Sequence, residues 1–310
     1  MTIKAEVVQA SECAATGKQI HTLILEYPRA IHAQLLTHGV FSKNSSSSRA
    51  VPIQAAIDNV KENPAKFIWT GKQSGMQGTD LKGDARTIHS AELINIMARE
   101  NAITAVRMMD AIGIHKQNAC RYLEPFQNIR IVLTSTEWEN WDWLRIDAAA
   151  QPEIEKLAVL MKEARENADV MLLQPGQWHV PFVTRIKSES GAISYWEDTT
   201  GKEVTLQEAI NISMSASAQT SYRKTDFSLE KAEDMYGKLF GGKKIHASPA
   251  EHQATPIPAF NANDGRTSNW PAGVTHMARN GVFWSGNFCN WIQNRQLIKG
   301  HDKALFPDMG

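Results

Sequence analysis

The stretch KAEVVQASECAATGKQIHTLILEY, residues 4–27, decides the fold. Two apolar, β-branched runs, 4–13 and 19–27, flank a turn at Gly17, and this pattern predicts an antiparallel hairpin. The chain continues as PRAIHAQLLTH, in which Pro28 favours the first turn of a short helix. A hairpin that leads directly into a helix indicates that strands and helices are mixed in one unit.

Helical patterns cover most of the remaining chain. The longest, 86–112, has apolar residues at helical spacing and ends at Gly113; these are Leu93, Ile96, Met97, Ile103, Val106 and Met109. Further helices are predicted at 51–64, 134–145, 151–168, 205–222 and 228–242, two of them opened by the capping-box pairs Thr134–Glu137 and Thr205–Glu208. A glycine-rich loop is expected at 70–84, strands and turns at 170–200, and a loop at 256–281. The fold class is therefore α+β: a single mixed domain with a central antiparallel or mixed sheet flanked by long helices.

Composition excludes several classes of protein. Of 310 residues, 33 are Lys or Arg and 33 are Asp or Glu, so there is no overall basic field and no nucleic-acid partner is expected. No apolar run approaches the roughly 20 residues that cross a bilayer, and no membrane contact or export signal is expected. The three cysteines are widely separated, which favours neither disulfides nor a zinc site and fits a reducing cytoplasm.

The segment HGVFSKNSSSSRA (38–50) contains four consecutive serines and Arg49 just before the helix expected to start at Pro52. Backbone N–H groups, serine hydroxyls and a guanidinium at a helix start suit an anion such as a phosphate. A solvated serine loop has the same composition. From these residues alone both interpretations stay open.

The flanking residues extend the pattern to P-x5-Q-x3-H-x3-S-x-N-x2-S-x-R, formed by Pro28, Gln34, His38, Ser42, Asn44, Ser47 and Arg49. This string resembles the signature of the flavin-dependent thymidylate synthases (ThyX family). In that family the serine-containing loop holds the phosphate and sugar of dUMP, and the side chains of an Arg-His-Arg string before it hold FAD. The resemblance implies the same division of roles along residues 34–49.

Two later blocks extend the resemblance. NACRYLEP (118–125) is similar to the family's Ala-Arg-x-x-Leu-Pro and matches Arg121 with an arginine that contacts dUMP. NWDWLRIDAAAQPEI (140–154) matches Asn140 with a flavin-contacting asparagine and Arg145 with the arginine that activates the uracil ring. Without the resemblance, Arg145 would be interpreted as an exposed, ion-pairing arginine and the tryptophans beside it as core.

A third pair of blocks lies out of order. SAQTSY (217–222) and HASPAEH (246–252) resemble strings that precede the other motifs in the family, so the resemblance implies a circular permutation. The chain then divides into a nucleotide and flavin core (1–165), an insertion (166–203) and a permuted FAD-binding segment (204–300). His246 and His252 have no third ligand in the sequence, and no metal site is predicted.

The resemblance implies methylation of dUMP to dTMP, with methylenetetrahydrofolate as carbon donor and FADH2, regenerated by NADPH, as reductant. Arg145 is the expected catalytic residue, and a homotetramer is the expected assembly. The residues expected to bind dUMP are Gln34, Ser45, Ser46, Ser47, Ser48, Arg49, Arg121 and Arg145. Those expected to bind FAD are His38, Asn44, Asn140, His246, Ser248 and Glu251.

The chain departs from the family pattern mainly on the flavin side. Thr37 and Gly39 replace the two arginines of Arg-His-Arg, and Arg295, Lys243 or Lys244 are candidate substitutes. Two alternatives therefore stay open: a different C5 modification, such as hydroxymethylation, or a nucleotide-binding subunit without catalysis. The C-terminal GNFCNWIQNRQLI (286–298) is expected to be an amphipathic helix without a functional role.

Overall fold

The computed structural model describes residues 3–81, 83–221, 224–242, 244–260 and 267–302. The strands are β1 Lys4–Cys13, β2 Gln19–Pro28, β3 Ser42–Ser45, β4 Thr70–Gly71, β5 Thr79–Asp80, β6 Asn128–Ser135, β7 Val170–Leu173, β8 Thr184–Lys187, β9 Ile193–Glu197, β10 Lys202–Val204, β11 Ala254–Pro256, β12 His276–Met277, β13 Phe283–Ser285, β14 Phe288–Cys289 and β15 Trp291–Gln293. The helices are α1 His32–Leu36, α2 Ile53–Glu62, α3 Ala85–Ala111, α4 Lys116–Ala119, α5 Glu139–Arg145, α6 Pro152–Glu166, α7 Leu206–Ala218 and α8 Leu229–Phe240. Short 3-10 turns include Arg29–Ile31, Cys120–Phe126, Ser248–Glu251, Thr267–Asn269 and Asn294–Leu297.

A five-stranded sheet of order β3-β6-β2-β1-β7 forms the centre. The predicted hairpin is present as β1 and β2, which pair antiparallel from Lys4 opposite Glu26 to Glu12 opposite Gln19. β7 runs parallel to β1, whereas the other pairs are antiparallel, so the sheet is mixed. The α+β class with a mixed central sheet is confirmed.

The central strand β2 is covered on both faces, which explains its nearly continuous burial. Leu23, Leu25 and Tyr27 alternate on one face and pack with residues of α5 and α6 in the largest core cluster. Thr22 points to the other face, where it contacts polar side chains. That second face becomes important for the candidate site.

Further apolar clusters lie beside the sheet. The small sheet β8-β9-β10 packs with α7 and α8, and the capping box predicted at Thr205 and Glu208 is formed at the start of α7. α2, α3 and the turn Cys120–Phe126 enclose a third core around Ile103 and Val106. β7 belongs to the central sheet, while β8 to β10 form a separate one; the division of the chain at 165 and 203 stays a prediction.

The long helix α3 leaves part of its apolar pattern exposed. Its bounds agree with the prediction to within a residue, and Gly113 follows it with φ at +82°. However, Leu93, Ile96 and Met97, which belong to that pattern, are 53%, 45% and 60% exposed. The N-terminal half of α3 therefore carries an apolar face that no described residue covers.

Two local predictions are wrong. Thr134 does not cap a helix with Glu137; it belongs to β6, and α5 starts five residues later at Glu139. The segment 286–298 forms β14, β15 and a 3-10 turn instead of an amphipathic helix, with Asn290 at a φ of +61° between the strands. The loop at 70–84 contains the β4–β5 pair, and residues 261–266 of the predicted loop at 256–281 lie outside the described residues.

Within the described ranges, no helix is long and apolar enough to cross a membrane. The same part of the chain contains no group of three His, Cys, Asp or Glu side chains arranged to hold a metal ion.

Candidate functional site

Most of the predicted site residues lie in the segment 38–49 or contact it. It runs from His38 through β3 into the serine loop, defined here as Ser45–Arg49. Along it, His38 contacts Arg145, Asn44 contacts His252, Ser47 contacts Ser221 and Ser48 contacts Glu124. Contacts therefore reach this one segment from four separate parts of the chain.

At the His38 end, the Arg145 guanidinium is held by α1 and the residues that follow it. Its Nε donates to His38 Nε2 at 3.3 Å, and its Nη2 donates to the Gln34 carbonyl at 3.3 Å and to Thr37 Oγ1 at 3.2 Å. Its Nη1 has no partner among the described residues. Arg145 is thus oriented by the protein and retains free donors.

His38 is buried, because it stacks on Phe41 and meets the edge of Trp141 with ring centroids 5.7 and 4.8 Å apart. Burial lowers its pKa, and the charges of Arg145 and Lys43 lower it further. The neutral ring can accept the hydrogen bond from Arg145 Nε. Trp141 also lies 6.0 Å below the Arg145 guanidinium, so the tryptophan-rich helix serves both the core and the site.

Gln34 and Asn140 do not converge on Arg145 through their side chains. Gln34 Nε2 donates to Gln151 Oε1 at 2.6 Å, and only its backbone carbonyl meets Arg145. Asn140 is exposed on α5 without a side-chain partner among the described residues.

In the middle of the segment, β3 packs on the turn Ser248–Glu251. With its amide nitrogen turned toward them, Asn44 donates to the carbonyl oxygens of Ser248 and Lys43 and to His252 Nε2, each at 3.2 Å. Glu251 forms an ion pair with Arg295. Ser248 and His246 are exposed. The structure therefore brings Asn44, Ser248 and Glu251 together.

A buried chain of hydrogen bonds continues from His252 across the sheet. His252 Nδ1 meets Thr134 Oγ1 at 2.8 Å, Thr134 meets Thr22 at 2.7 Å, and Thr22 meets His179 Nε2 at 2.9 Å. His179 Nδ1 then meets Ser11 Oγ at 2.9 Å. Burial lowers the pKa of His252 to about 3, and it also lowers that of His179, so both rings are neutral. This chain holds the His252 ring against Asn44.

The serine loop starts where β3 ends. Ser46 bonds twice to Arg130: its N–H donates to the Arg130 carbonyl at 2.9 Å, and its hydroxyl accepts from the Arg130 N–H at 3.1 Å. The Ser47 N–H donates to Ser221 Oγ at 2.8 Å, and the Ser47 hydroxyl accepts from the Arg49 N–H at 3.3 Å. The tract is hydrogen-bonded to the sheet and to the segment after α7, so it is not a freely solvated loop.

Two of the predicted phosphate ligands are committed to an internal ion pair. Ser48 Oγ and Arg121 Nη1 both donate to Glu124 Oε1 at 2.6 Å. Burial raises the pKa of Glu124, but these two hydrogen bonds and the Arg29 charge outweigh it and lower the pKa overall. Ser45 and Arg49 are exposed, and the Arg49 guanidinium has no partner within the described chain.

A cavity of about 310 Å³ lies on the inner side of the serine loop. Ser46, Ser47 and Ser48 line it, whereas Arg49, Arg121 and Arg145 do not. Its cations are Arg29 and Arg130, which the sequence prediction missed, and its walls include Ser221 and the first turn of α2. The signal for Arg130 was a cation inside an otherwise apolar strand, NIRIVLTS.

The residues assigned to FAD fit that cofactor in part. His246, Ser248 and Asn140 expose polar groups, and Lys43 and Arg295 are cations on the β3 side. Lys43 Nζ already donates to the His38 carbonyl at 3.0 Å, and Arg295 pairs with Glu251. Lys244 is exposed, and Lys243 lies outside the described residues. Hydrogen-bonding groups for a flavin are present, but the described cations available to its pyrophosphate are already engaged, apart from Lys244.

Comparison with known proteins finds similar solved structures but no matching family model or curated protein. Among solved structures, the chain is similar to the UMP/dUMP methylase PolB from Streptomyces cacaoi, bound with 5-Br dUMP in one structure and with 5-Br UMP in another. Identity is 17% in both, 55% of this chain and 91% or 90% of that chain are covered, and the TM-scores are 0.39 and 0.40. At these values the likeness by itself assigns no activity to this chain.

Proposed function

We propose that the protein binds a pyrimidine nucleoside monophosphate and replaces the hydrogen on C5 of its ring. The proposed reaction is methylation of dUMP, with methylenetetrahydrofolate as carbon donor and reduced flavin and NADPH as reductants. The observation that supports this most is the convergence on residues 38–49 of blocks that are far apart in sequence, including Arg145, Ser248 and Ser221. The resemblance to flavin-dependent thymidylate synthases rests on the same blocks.

Arg145 is the proposed catalytic residue. Attack by C5 on an electrophilic carbon is favoured when negative charge developing on the uracil oxygen is stabilised, and preorganised cationic donors do this well. The contacts from His38, Thr37 and the Gln34 carbonyl hold the guanidinium, while Nη1 is free to meet the ring. A guanidinium also stays charged at any working pH.

The proposed flavin position is the β3 side of the segment. There Ser248 is exposed, and Lys43 and Arg295 supply positive charge once their internal contacts are exchanged for phosphate contacts. His246 and Asn140 are exposed as well and stay proposed flavin contacts. FADH2 would supply the hydride that reduces the transferred carbon. The residues of this chain would bind and orient the cofactor and exclude water around it.

A second copy of the chain completes the proposed site. Arg145 contacts the residues before β3, whereas the cavity lies after β3. A nucleotide that reached both within one chain would have to extend along the whole strand, a length of roughly 13 Å at 3.3 Å per residue. A partner copy that brings its own Arg145 to the cavity removes this requirement. α3 offers the surface, because Leu93, Ile94, Met97 and Met108 are all more than half exposed and lie within about 100° around the helix. We call these four residues the apolar stripe.

The test measures release of tritium from dUMP labelled at C5, with FAD, NADPH and methylenetetrahydrofolate present. Wild-type protein should release tritium, and Arg145→Ala should lose turnover by at least about a hundredfold while dUMP binding remains measurable. Arg279→Ala, at an exposed arginine, is the matched control. Unchanged turnover in Arg145→Ala would refute the role of that residue.

The same assay, with the nucleotide product identified by mass, separates the two alternative functions. Tritium release with a hydroxymethylated product would favour the other C5 modification, which the uncharged Thr37 and Gly39 make a reasonable second candidate. dUMP binding without tritium release under any flavin or folate combination would favour the non-catalytic subunit.

A further inference from the structure

The cavity behind the serine loop has three donors, Arg29, Arg130 and Ser221, that the predicted phosphate ligands do not include. We propose that it binds the phosphate of the nucleotide, held by Arg130, Arg29 and the hydroxyls of Ser46, Ser47 and Ser221. This rests on the proposed function for the identity of the nucleotide. It replaces Arg49 and Arg121 as the primary phosphate ligands within one chain.

The hydroxyls are oriented as donors by their own hydrogen bonds. Ser46, Ser47 and Ser221 each accept one backbone N–H, at 3.1, 3.3 and 2.8 Å, and none of them donates to a described residue. A hydroxyl that already accepts a hydrogen bond has its proton left for another acceptor. Three such protons around one cavity suit a ligand rich in acceptor oxygens, as a phosphate is.

The two arginines add charge at the same place. The Arg130 guanidinium makes no hydrogen bond or ion pair with any described residue although it is half-buried. Arg29 uses Nη2 to hold the Ser46 carbonyl at 3.2 Å, and its Nε is buried without a partner in the described chain. Both arginines line the cavity, and because the Arg130 guanidinium is not engaged by a described residue, an anion there would gain charge-assisted hydrogen bonds.

The acidic residues of the cavity fit the remainder of a nucleotide. Glu26 and Glu62 line it as well, and Glu26 Oε1 accepts from Asn63 Nδ2 at 3.0 Å. Carboxylates repel a phosphate but accept hydrogen bonds from sugar hydroxyls. A volume of about 310 Å³ is at the small end of ligand sites and suits a sugar phosphate whose base projects out of the cavity.

Arg121 and Ser48 are less available than these groups. Both already donate to Glu124, and using them for phosphate would leave that carboxylate beside the anion without its partners. The donors proposed here need no such exchange.

Calorimetric titration of dUMP, with inorganic phosphate as competitor, tests the proposal. Wild-type protein should bind dUMP and lose it to phosphate. Arg130→Gln and Ser221→Ala should each weaken dUMP binding, Arg130→Gln by roughly ten- to a hundredfold, and should weaken phosphate competition in parallel. Binding of deoxyuridine, which lacks the phosphate, should not change. Arg279→Gln is the matched control.

Wild-type affinity in Arg130→Gln and Ser221→Ala would overturn the proposal, as would equal losses for dUMP and deoxyuridine or failure of the wild type to bind dUMP. Circular dichroism checks that each variant folds. If Arg130→Gln does not fold, Arg130→Lys takes its place; because it keeps the charge, it should retain only part of the wild-type affinity for dUMP. Phosphate-dependent dUMP binding without any C5 chemistry would refute the proposed function and leave this site standing.

Discussion

His21 offers a sharp test of how the core is built. Its ring is buried in β2, its edge meets Trp138 with ring centroids 6.2 Å apart, and neither ring nitrogen has a partner among the described residues. Burial lowers its pKa from 6.5 to about 4, and the charge of Arg165 contributes. His21→Phe would keep the aromatic contact and remove two unpaired polar atoms.

The magnitude follows from proton linkage. The folded pKa of His21 lies below that of the unfolded chain, so the unfolded chain binds the extra proton once the pH falls below 6.5, and stability declines with falling pH. At about 1.4 kcal/mol per pH unit, this amounts to about 2 kcal/mol at pH ~5. Buried His252, with a pKa of about 3, adds a similar amount. Against a total stability of roughly 5–15 kcal/mol, these are large effects.

Urea unfolding between about pH 5 and pH 7.5 measures the unfolding free energy at neutral pH and its decline as the pH falls. His21→Phe should be at least as stable as wild type at neutral pH. Below pH ~6.5 its unfolding free energy should fall less steeply with pH than that of wild type, by about 1.4 kcal/mol per pH unit. The exposed His89, changed to Gln, is the control and should keep the wild-type slope. An unchanged slope in His21→Phe, or a loss of more than about 2 kcal/mol at neutral pH, would refute the burial argument.

Three other perturbations address the assembly, the α7 cap and the polar chain. Met97→Glu in the apolar stripe should shift the protein to a smaller species in analytical ultracentrifugation and lower its turnover. Ile186→Glu, at a similarly exposed position in β8, is the control and should do neither. An unchanged mass for Met97→Glu would count against the stripe as an interface. Thr205→Ala removes the capping box of α7 and should lower the unfolding free energy by about 1 kcal/mol, a loss that thermal melting would have to show. Thr22→Val breaks the buried chain of hydrogen bonds between His179 and Thr134. It should lower the unfolding free energy by more than about 2 kcal/mol in urea, because polar groups on both sides lose their partner. Wild-type stability would contradict the buried chain of hydrogen bonds.

The elements that local patterns specify could be predicted from the sequence. The hairpin at 4–27 and the cap at Thr205 depend on residues close together in the chain, and both agree with the structure. Thr134 shows the limit: its spacing to Glu137 matches a capping box, but pairing of β6 with β2 and β3 extends the strand through it. Tertiary hydrogen bonds outweighed a cap of about 1 kcal/mol.

The candidate site was predictable where a motif named its residues. His38 with Arg145 and Asn44 with Ser248 lie in contact, as blocks of one site would. Arg130 could not be found that way, because the cavity it lines is formed only when β6 pairs with β3 and the segment after α7 reaches Ser47. The exposed face of α3 could not be predicted either, since helical periodicity does not tell an apolar face packed in the core from one left exposed.

Mass analysis of the nucleotide after a single turnover tests directly whether the protein methylates C5 of dUMP. The protein would be loaded with FAD, reduced with NADPH, and mixed with dUMP and methylenetetrahydrofolate. We expect conversion of dUMP to dTMP, with a methyl group in place of the C5 hydrogen, and no conversion by Arg145→Ala. Recovery of unaltered dUMP from wild-type protein that has bound both dUMP and FAD would contradict it.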